Sequence, residues 1–94
     1  MDTNEASAPG EPGSRQFMQH VAAGRHPGTV SLMRYFAHAH LPEPLRAVSE
    51  PFGHLARTLL DMLPDSAELT TALRKLVEAK DCAVRAAVDR LDEE

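Results

Sequence analysis

A regular spacing of apolar residues in the second half of the chain constrains its fold more than any other feature. This spacing, at intervals of three or four residues, is typical of one face of an α-helix. Pro64 disfavours helical geometry at Leu63, so a first helix is predicted over about residues 43–63. Pro51 predicts either one bent helix or two abutting helices, since Ser49 can cap a restart. In both cases the buried stripe is expected to be Leu45, Val48, Phe52, Leu55, Leu59 and Met62.

A second helix is predicted directly after the connection Pro64-Asp65, over about residues 66–91. Asp65 is expected to cap it, with Glu68 three residues later reaching back to the cap. So short a connection predicts that the two helices lie antiparallel, as a helical hairpin in an all-α fold. The inner face of the second helix is predicted to be Leu69, Ala72, Leu73, Leu76, Ala79, Ala83, Ala86 and Ala87, with Val77, Val84 and Leu91 on its flank.

The apolar arc of the second helix is wider than one partner helix covers. Two helices alone also bury too little apolar surface to offset the conformational entropy that folding removes. We therefore predict a homo-oligomer, unless the N-terminal aromatics Phe17, Tyr35 and Phe36 fold back over the exposed side. The predicted oligomer interface comprises Leu69, Ala72, Leu76, Ala79, Ala83 and Ala86.

The N-terminal segment is poor in large apolar residues and rich in breakers. Residues 1–28 are predicted to be a mostly disordered arm, with at most a turn or two of helix before Gly24, and residues 29–94 to form the hairpin domain. Residues 29–40 combine β-branched and aromatic side chains, which fits a short helix or an extended arm equally well.

Composition excludes several function classes. Ten Lys and Arg against fourteen Asp and Glu give a net charge of −4, which disfavours binding to a nucleic acid polymer. No apolar run is long enough for a membrane span, and the N-terminus lacks the pattern of a signal peptide, so a cytoplasmic location is expected. Cys82 is the single cysteine, which rules out an internal disulfide and a cysteine-based metal cage.

Few residues suggest chemistry. Lys80 points into the apolar arc and needs a counter-charge there, either a carboxylate of a neighbouring chain or a bound phosphate. Arg74 with Glu78, and Asp81 with Arg85, have the spacing of ion pairs within the helix. The pair His38-x-His40 supplies only two ligands, and a metal site needs two more that converge on it. Neither catalytic residues nor a cofactor is predicted.

The second helix, ALRKLVEAKDCAVRAA over residues 72–87, carries the pattern A-L-x-x-L-x-E-A-x-x-x-A-x-x-A. This resembles the helical-hairpin family of phage anti-CBASS sponges, related to anti-Thoeris sponges, and the likeness covers about residues 35–91. The resemblance implies a homo-oligomer, typically a hexamer, acting in the host cytoplasm. It would sequester cyclic di- and trinucleotide immune signals without cleaving them, so that a phage evades bacterial defence.

The resemblance also implies site residues. The aromatic residue that stacks on a base in the family corresponds to His38 here, with Tyr35 as a neighbouring substitute. The family's basic residue on the first helix corresponds to Gly53, which has no charge. The implied ligand-binding residues, together with Lys80, are Tyr35, His38, Arg46, Arg57 and Arg90, in which Arg46 or Arg57 replaces the missing basic residue and Arg90 corresponds to a C-terminal phosphate-binding arginine.

Two other interpretations stay open. The first is a structural module whose alanine face docks on a partner helix. Such a module should shield Lys80 with a partner carboxylate, whereas a sponge should leave several cations around an open cavity. The second is a metal-dependent enzyme that uses His38 and His40.

Overall fold

A computed structural model describes residues 10–93 of the chain. In that range helices account for 74% of the residues and no β-strand is present, which confirms the all-α prediction. None of these helices is both long and apolar enough to cross a membrane. The α-helices are α1 (Arg15–His20), α2 (Pro27–Met33), α3 (Glu43–Met62) and α4 (Ala67–Asp92), and a 3-10 helix, Arg34–Phe36, directly follows α2.

Helix α3 is one continuous helix that passes through Pro51 without a restart. Proline has no N–H to donate to the carbonyl of Ala47, so this turn of the helix lacks one hydrogen bond. The helix ends where Pro64 predicts, because Leu63 has extended backbone angles, φ −124° and ψ 140°.

Helix α4 is capped by Ser66, whose hydroxyl accepts a hydrogen bond from the N–H of Leu69 at 3.0 Å. The prediction that Asp65 is the cap was wrong. The Asp65 carboxylate instead accepts hydrogen bonds from Arg25 Nε at 2.8 Å and from the backbone N–H of His26 at 2.9 Å. These partners lie about 40 residues away in sequence, where no local pattern indicates them.

Arg25 ties the N-terminal segment to the end of α3. Besides its bond to Asp65, its guanidinium donates to the carbonyl of Leu60 at 2.8 Å and to that of Leu63 at 2.7 Å. These are carbonyls that the helix end leaves without intrahelical partners. Partial burial would raise the pKa of Asp65, but the hydrogen bonds from Arg25 and His26 outweigh it and lower that pKa. We call Arg25 and Asp65 with these contacts the clamp.

The N-terminal segment, meaning residues 10–42 before α3, packs against the two long helices α3 and α4. Residues 1–9 of the predicted disordered arm lie outside the described residues. Helix α1 corresponds to the turn or two of helix that the sequence allowed before Gly24. Within residues 10–28 the side chains of Met18 and Ala22 are fully buried, so this part of the predicted arm is packed into the core. Gly13, with a φ of +87° that favours glycine, accepts two backbone hydrogen bonds at its carbonyl, from His38 and Ala39.

The fully buried face of α3 is shifted from the predicted stripe. Four stripe residues, Leu45, Val48, Phe52 and Leu59, are half-buried, and Phe52 and Leu59 pack against the core. The buried residues of α3 are Ser49, Gly53, Ala56 and Leu60, whereas two residues of the predicted stripe, Leu55 and Met62, are 46% and 70% exposed. Small residues on the buried face let the N-terminal segment come close. A Cβ at Gly53 would lie 3.3 Å from the carbonyl oxygen of Phe36.

The N-terminal segment covers only part of α4. Leu69 and Leu73 are 2% and 0% exposed, so Leu69 already lies in the core of a single chain rather than on a free interface. Phe36 is fully buried and Phe17 half-buried, as the fold-back alternative requires, while Tyr35 stays exposed. Of the other predicted interface residues, Leu76 is half-buried and packs against the core, Ala83 is half-buried, and Ala72, Ala79 and Ala86 are exposed.

Candidate functional site

An open groove of about 950 Å³ lies between the N-terminal segment and the second half of α4. We call it the basic groove. Its volume falls within the range of about 300–1,000 Å³ that small-molecule sites usually occupy. The side chains that give it its chemistry are Arg15, Arg34, Tyr35, His40, Lys80 and Arg85.

Three helices and the loop before α3, which carries His40, bring these side chains together. Arg15 is the first residue of α1, which begins there because Ser14 caps it by accepting a hydrogen bond from Phe17 N at 3.1 Å. Arg34 and Tyr35 belong to the 3-10 helix, and the remaining cations belong to α4. The groove therefore depends on the fold of the N-terminal segment and not on the long helices alone.

The groove concentrates positive charge in an acidic protein. Four of the ten Lys and Arg residues of the chain line it, against two described carboxylates, Glu11 and Asp81. Within residues 10–93, Arg15, Arg34 and Arg85 form no ion pair with any carboxylate. Like charges that converge without counter-ions favour the binding of an anion.

Arg34 and Tyr35 form a stacked pair on the groove wall. The Arg34 guanidinium carbon lies 4.8 Å from the centre of the Tyr35 ring, and Arg34 Nη2 donates to the Tyr35 hydroxyl at 2.8 Å. The Arg34 Nε atom is buried and has no hydrogen-bond partner in the described part of the chain. The Tyr35 side chain remains 42% exposed.

Ser49, on the buried face of α3, is a second residue of the groove wall with an unpaired polar atom. Its hydroxyl is fully buried, and among the described residues it has no hydrogen-bond partner. Thr58 and Thr70, by contrast, donate to the carbonyl four residues earlier in their helices, at 3.0 and 3.2 Å. An unpaired buried hydroxyl costs free energy. Thr29, which does not line the groove, also has a buried hydroxyl without a partner among the described residues, so this feature alone does not mark the site.

Lys80 lies in the groove with a side chain only 13% exposed. Its ammonium contacts Asp81 Oδ1 at 2.6 Å, so the counter-charge that its position requires comes from the same chain. The predicted ion pairs of Arg74 with Glu78 and of Asp81 with Arg85 do not form in the described structure. Arg85 instead donates to Cys82 Sγ at 3.4 Å.

Two of the residues that the resemblance implies lie elsewhere, in a small cleft of about 90 Å³. His38 is 7% exposed, with Nδ1 3.2 Å from the carbonyl oxygen of Phe36, and its ring packs edge-on against His54 at 6.2 Å. The Arg57 guanidinium lies over the ring of Phe17 at 5.2 Å. Both side chains therefore hold the N-terminal segment in place.

Two further implied residues, Arg46 and Arg90, do not line the groove either. Arg46 is paired with Glu43, and that hydrogen bond raises the pKa of Arg46. Arg90 is exposed in the last turn of α4. Gly53 is packed so tightly that no basic residue fits there without moving the N-terminal segment.

Of the residues singled out from the sequence as ligand-binding, the groove thus brings together Tyr35 and Lys80. The sequence points to Arg85 and His40 for other reasons. Arg85 is a member of a predicted ion pair, and His40 is half of the His-x-His pair. Arg15, Arg34 and Ser49 carry no signal as ligand-binding residues in the sequence, because what distinguishes them is a lack of partners in three dimensions.

No three His, Cys, Asp or Glu side chains in the described range are grouped so as to hold a metal ion. Comparisons with known proteins found no match: no family model, no curated protein and no solved structure is similar to this chain.

Proposed function

We propose that this chain is a non-enzymatic binding protein that sequesters cyclic di- or trinucleotides in the basic groove. One observation carries the proposal. Three arginines without carboxylate partners in residues 10–93 and one lysine line a single large groove beside an exposed tyrosine, in a protein with a net charge of −4. The resemblance to the anti-CBASS sponges suggests the ligand class and a role in antagonising bacterial defence.

The chemistry of the groove fits such a ligand. Each phosphodiester of a cyclic nucleotide carries one negative charge, and arginine grips phosphate oxygens through two parallel hydrogen bonds. A nucleobase can stack on the exposed Tyr35 ring, as bases do on aromatic side chains. No nucleophile or metal is needed for this activity, since binding alone removes the ligand from solution.

A homo-oligomer is part of the proposal. Helices α3 and α4 leave apolar side chains uncovered, with Leu55 and Met62 exposed on α3 and Ala79 exposed on α4. Light scattering should give the mass of several chains, with six expected from the resemblance. Ala79→Glu should reduce the mass to one chain, because a carboxylate would be buried without a partner. Ala67→Glu is the matched control, since an acidic residue is favourable in the first turn of α4.

Calorimetry with a panel of cyclic di- and trinucleotides tests the ligand. Wild-type protein should bind at least one of them with micromolar affinity or tighter. Arg34→Ala should weaken binding about 10-fold or more, the usual effect of losing a charge-assisted hydrogen bond. Arg74→Ala, a charge change on α4 outside the groove, should leave affinity unchanged. Absence of heat and of any thermal shift across the panel at tens of micromolar would refute the proposal.

A docking module is the second candidate, and the exposure of Leu55 and Met62 favours it. In that case these residues would contact a protein partner rather than another copy of the chain. The pairing of Lys80 within its own chain, in an open groove with three further cations, supports the binding protein instead. Leu55→Ser distinguishes the two: if Leu55 contacts another copy of the chain, the mass measured by light scattering should fall, whereas in a docking module that mass should stay unchanged.

A further inference from the structure

Asp81 is the described carboxylate that contacts a cation of the basic groove. The other carboxylate on the groove wall, Glu11, forms no ion pair with any described residue. Asp81 lies 2.6 Å from the Lys80 ammonium, although the two residues are neighbours in α4 and a helix does not place adjacent side chains face to face. Arg85, at the favourable spacing of four residues, is left without a carboxylate.

The burial of Lys80 explains why Asp81 pairs with Lys80 rather than with Arg85. The Lys80 side chain is 13% exposed, so its ammonium has lost most of its water and requires an anion nearby. Arg85 is exposed and can rely on solvent. The Asp81 side chain is itself 44% exposed, so it can leave Lys80 and return to water without unfolding any element.

We propose that Asp81 is an internal competitor for the ligand: its carboxylate holds Lys80 in the free protein and is displaced when an anionic group of the ligand takes its place. This inference rests on the proposed function, because it concerns how the same groove is regulated. The ligand group that displaces Asp81 is a phosphate or phosphodiester, which Arg34 and Arg85 contact at the same time.

Such a competitor makes the groove selective. A tethered carboxylate acts at a high effective concentration, typically millimolar for a short flexible link. A free carboxylate ligand offers Lys80 the same chemistry as Asp81 and gains little by replacing it. A phosphate with several oxygens can bind Lys80 and an arginine together, so phosphate-bearing ligands are favoured over metabolites whose only anion is a carboxylate.

Titration with inorganic pyrophosphate by calorimetry tests the inference without depending on the identity of the nucleotide. Asp81→Asn should bind pyrophosphate about 10-fold more tightly than wild type, which corresponds to about 1.4 kcal/mol. Glu11→Gln removes the same charge from the same groove without touching Lys80, so it measures the gain from lost negative charge alone, and this gain should be smaller than that of Asp81→Asn. In a Lys80→Met background the gain from Asp81→Asn should disappear, because the competition requires the ammonium.

Three outcomes would overturn the inference. These are equal gains from Asp81→Asn and Glu11→Gln, a gain that persists in Lys80→Met, or no pyrophosphate binding by Asp81→Asn. The first two would mean that Asp81 acts only through its general negative field. Failure of the proposed function gives a different pattern, in which cyclic nucleotides do not bind while the dependence of pyrophosphate binding on Asp81 remains.

Discussion

The two ends of α4 meet the N-terminal segment in opposite ways. At its start, Leu69 and Leu73 are buried, and each of the three guanidinium nitrogens of Arg25 donates a hydrogen bond to a carboxylate or carbonyl. Toward its other end, Lys80 and Arg85 line an open groove. The first contact completes the hydrophobic core, whereas the second leaves positively charged side chains around an open cavity.

The contrast separates stability from binding within one helix. Both ends use arginine, but Arg25 makes three hydrogen bonds to distant residues, while Arg34 leaves a buried Nε atom unpaired. An arginine whose three nitrogens bond to distant parts of the chain holds a fold together. An arginine beside a cavity without a carboxylate partner can contact an anionic ligand there.

The largest effect is expected at the packed end. Leu73→Ala should lower the free energy of unfolding by about 3 kcal/mol, because a fully buried leucine is replaced and a cavity remains. Urea denaturation followed by circular dichroism measures the change. Leu91→Ala, at a residue 42% exposed, is the control and should cost about 0.5 kcal/mol or less. Similar losses in both variants would mean that the first half of α4 does not carry the core.

The clamp gives the next effect. Arg25→Ala should lower the free energy of unfolding by about 2 kcal/mol, since a carboxylate and two helix-end carbonyls lose their donor. Arg15→Ala changes the same residue type in the basic groove and should cost about 0.5 kcal/mol or less. The comparison between the two ends fails if Arg15→Ala is the more destabilising variant.

Replacement of Ser49 should raise the free energy of unfolding, whereas the Leu73 and Arg25 variants lower it. Ser49→Ala removes a buried hydroxyl that has no partner among the described residues, so the free energy of unfolding should rise by about 1 kcal/mol. Thr58→Ala, whose hydroxyl is exposed and bonded to the carbonyl of His54, should give no gain. Loss of stability in Ser49→Ala would show that this hydroxyl is paired in solution.

The pH dependence of the clamp should be the smallest effect. The folded protein lowers the pKa of Asp65 below its unfolded value of about 4, through the donors of Arg25 and His26. The resulting stabilisation is present above pH 4 or so and is lost as the pH falls through the lowered pKa. Thermal unfolding between neutral and acidic pH should show a smaller acid loss in Asp65→Asn, and equal losses would exclude the clamp as its source.

Local patterns predicted the long helices well. Pro64 and the apolar spacing placed α3 within a residue of its observed end, and α4 begins and ends within a residue of its prediction. These signals lie within each helix, so they do not depend on the rest of the fold. The cap was assigned to Asp65 instead of Ser66 because the true partners of Asp65 come from a distant segment.

The buried face and the groove could not be predicted in the same way. The large apolar stripe of α3 looked like the core, but the N-terminal segment packs on the neighbouring face, where Gly53 and Ala56 allow close approach. That packing also positions Arg34 and Tyr35 in the groove. A site assembled from segments far apart in sequence becomes visible only once the fold is known.

Arg85 and Arg90 provide the most direct test of the central claim, because they lie five residues apart on α4 and only Arg85 lines the groove. The dissociation constant of a cyclic dinucleotide should rise about 10-fold or more in Arg85→Ala, the loss expected for one charge-assisted contact. In Arg90→Ala it should stay within 2-fold of wild type. An unchanged constant in Arg85→Ala together with a loss in Arg90→Ala would contradict the account and place the ligand outside the basic groove.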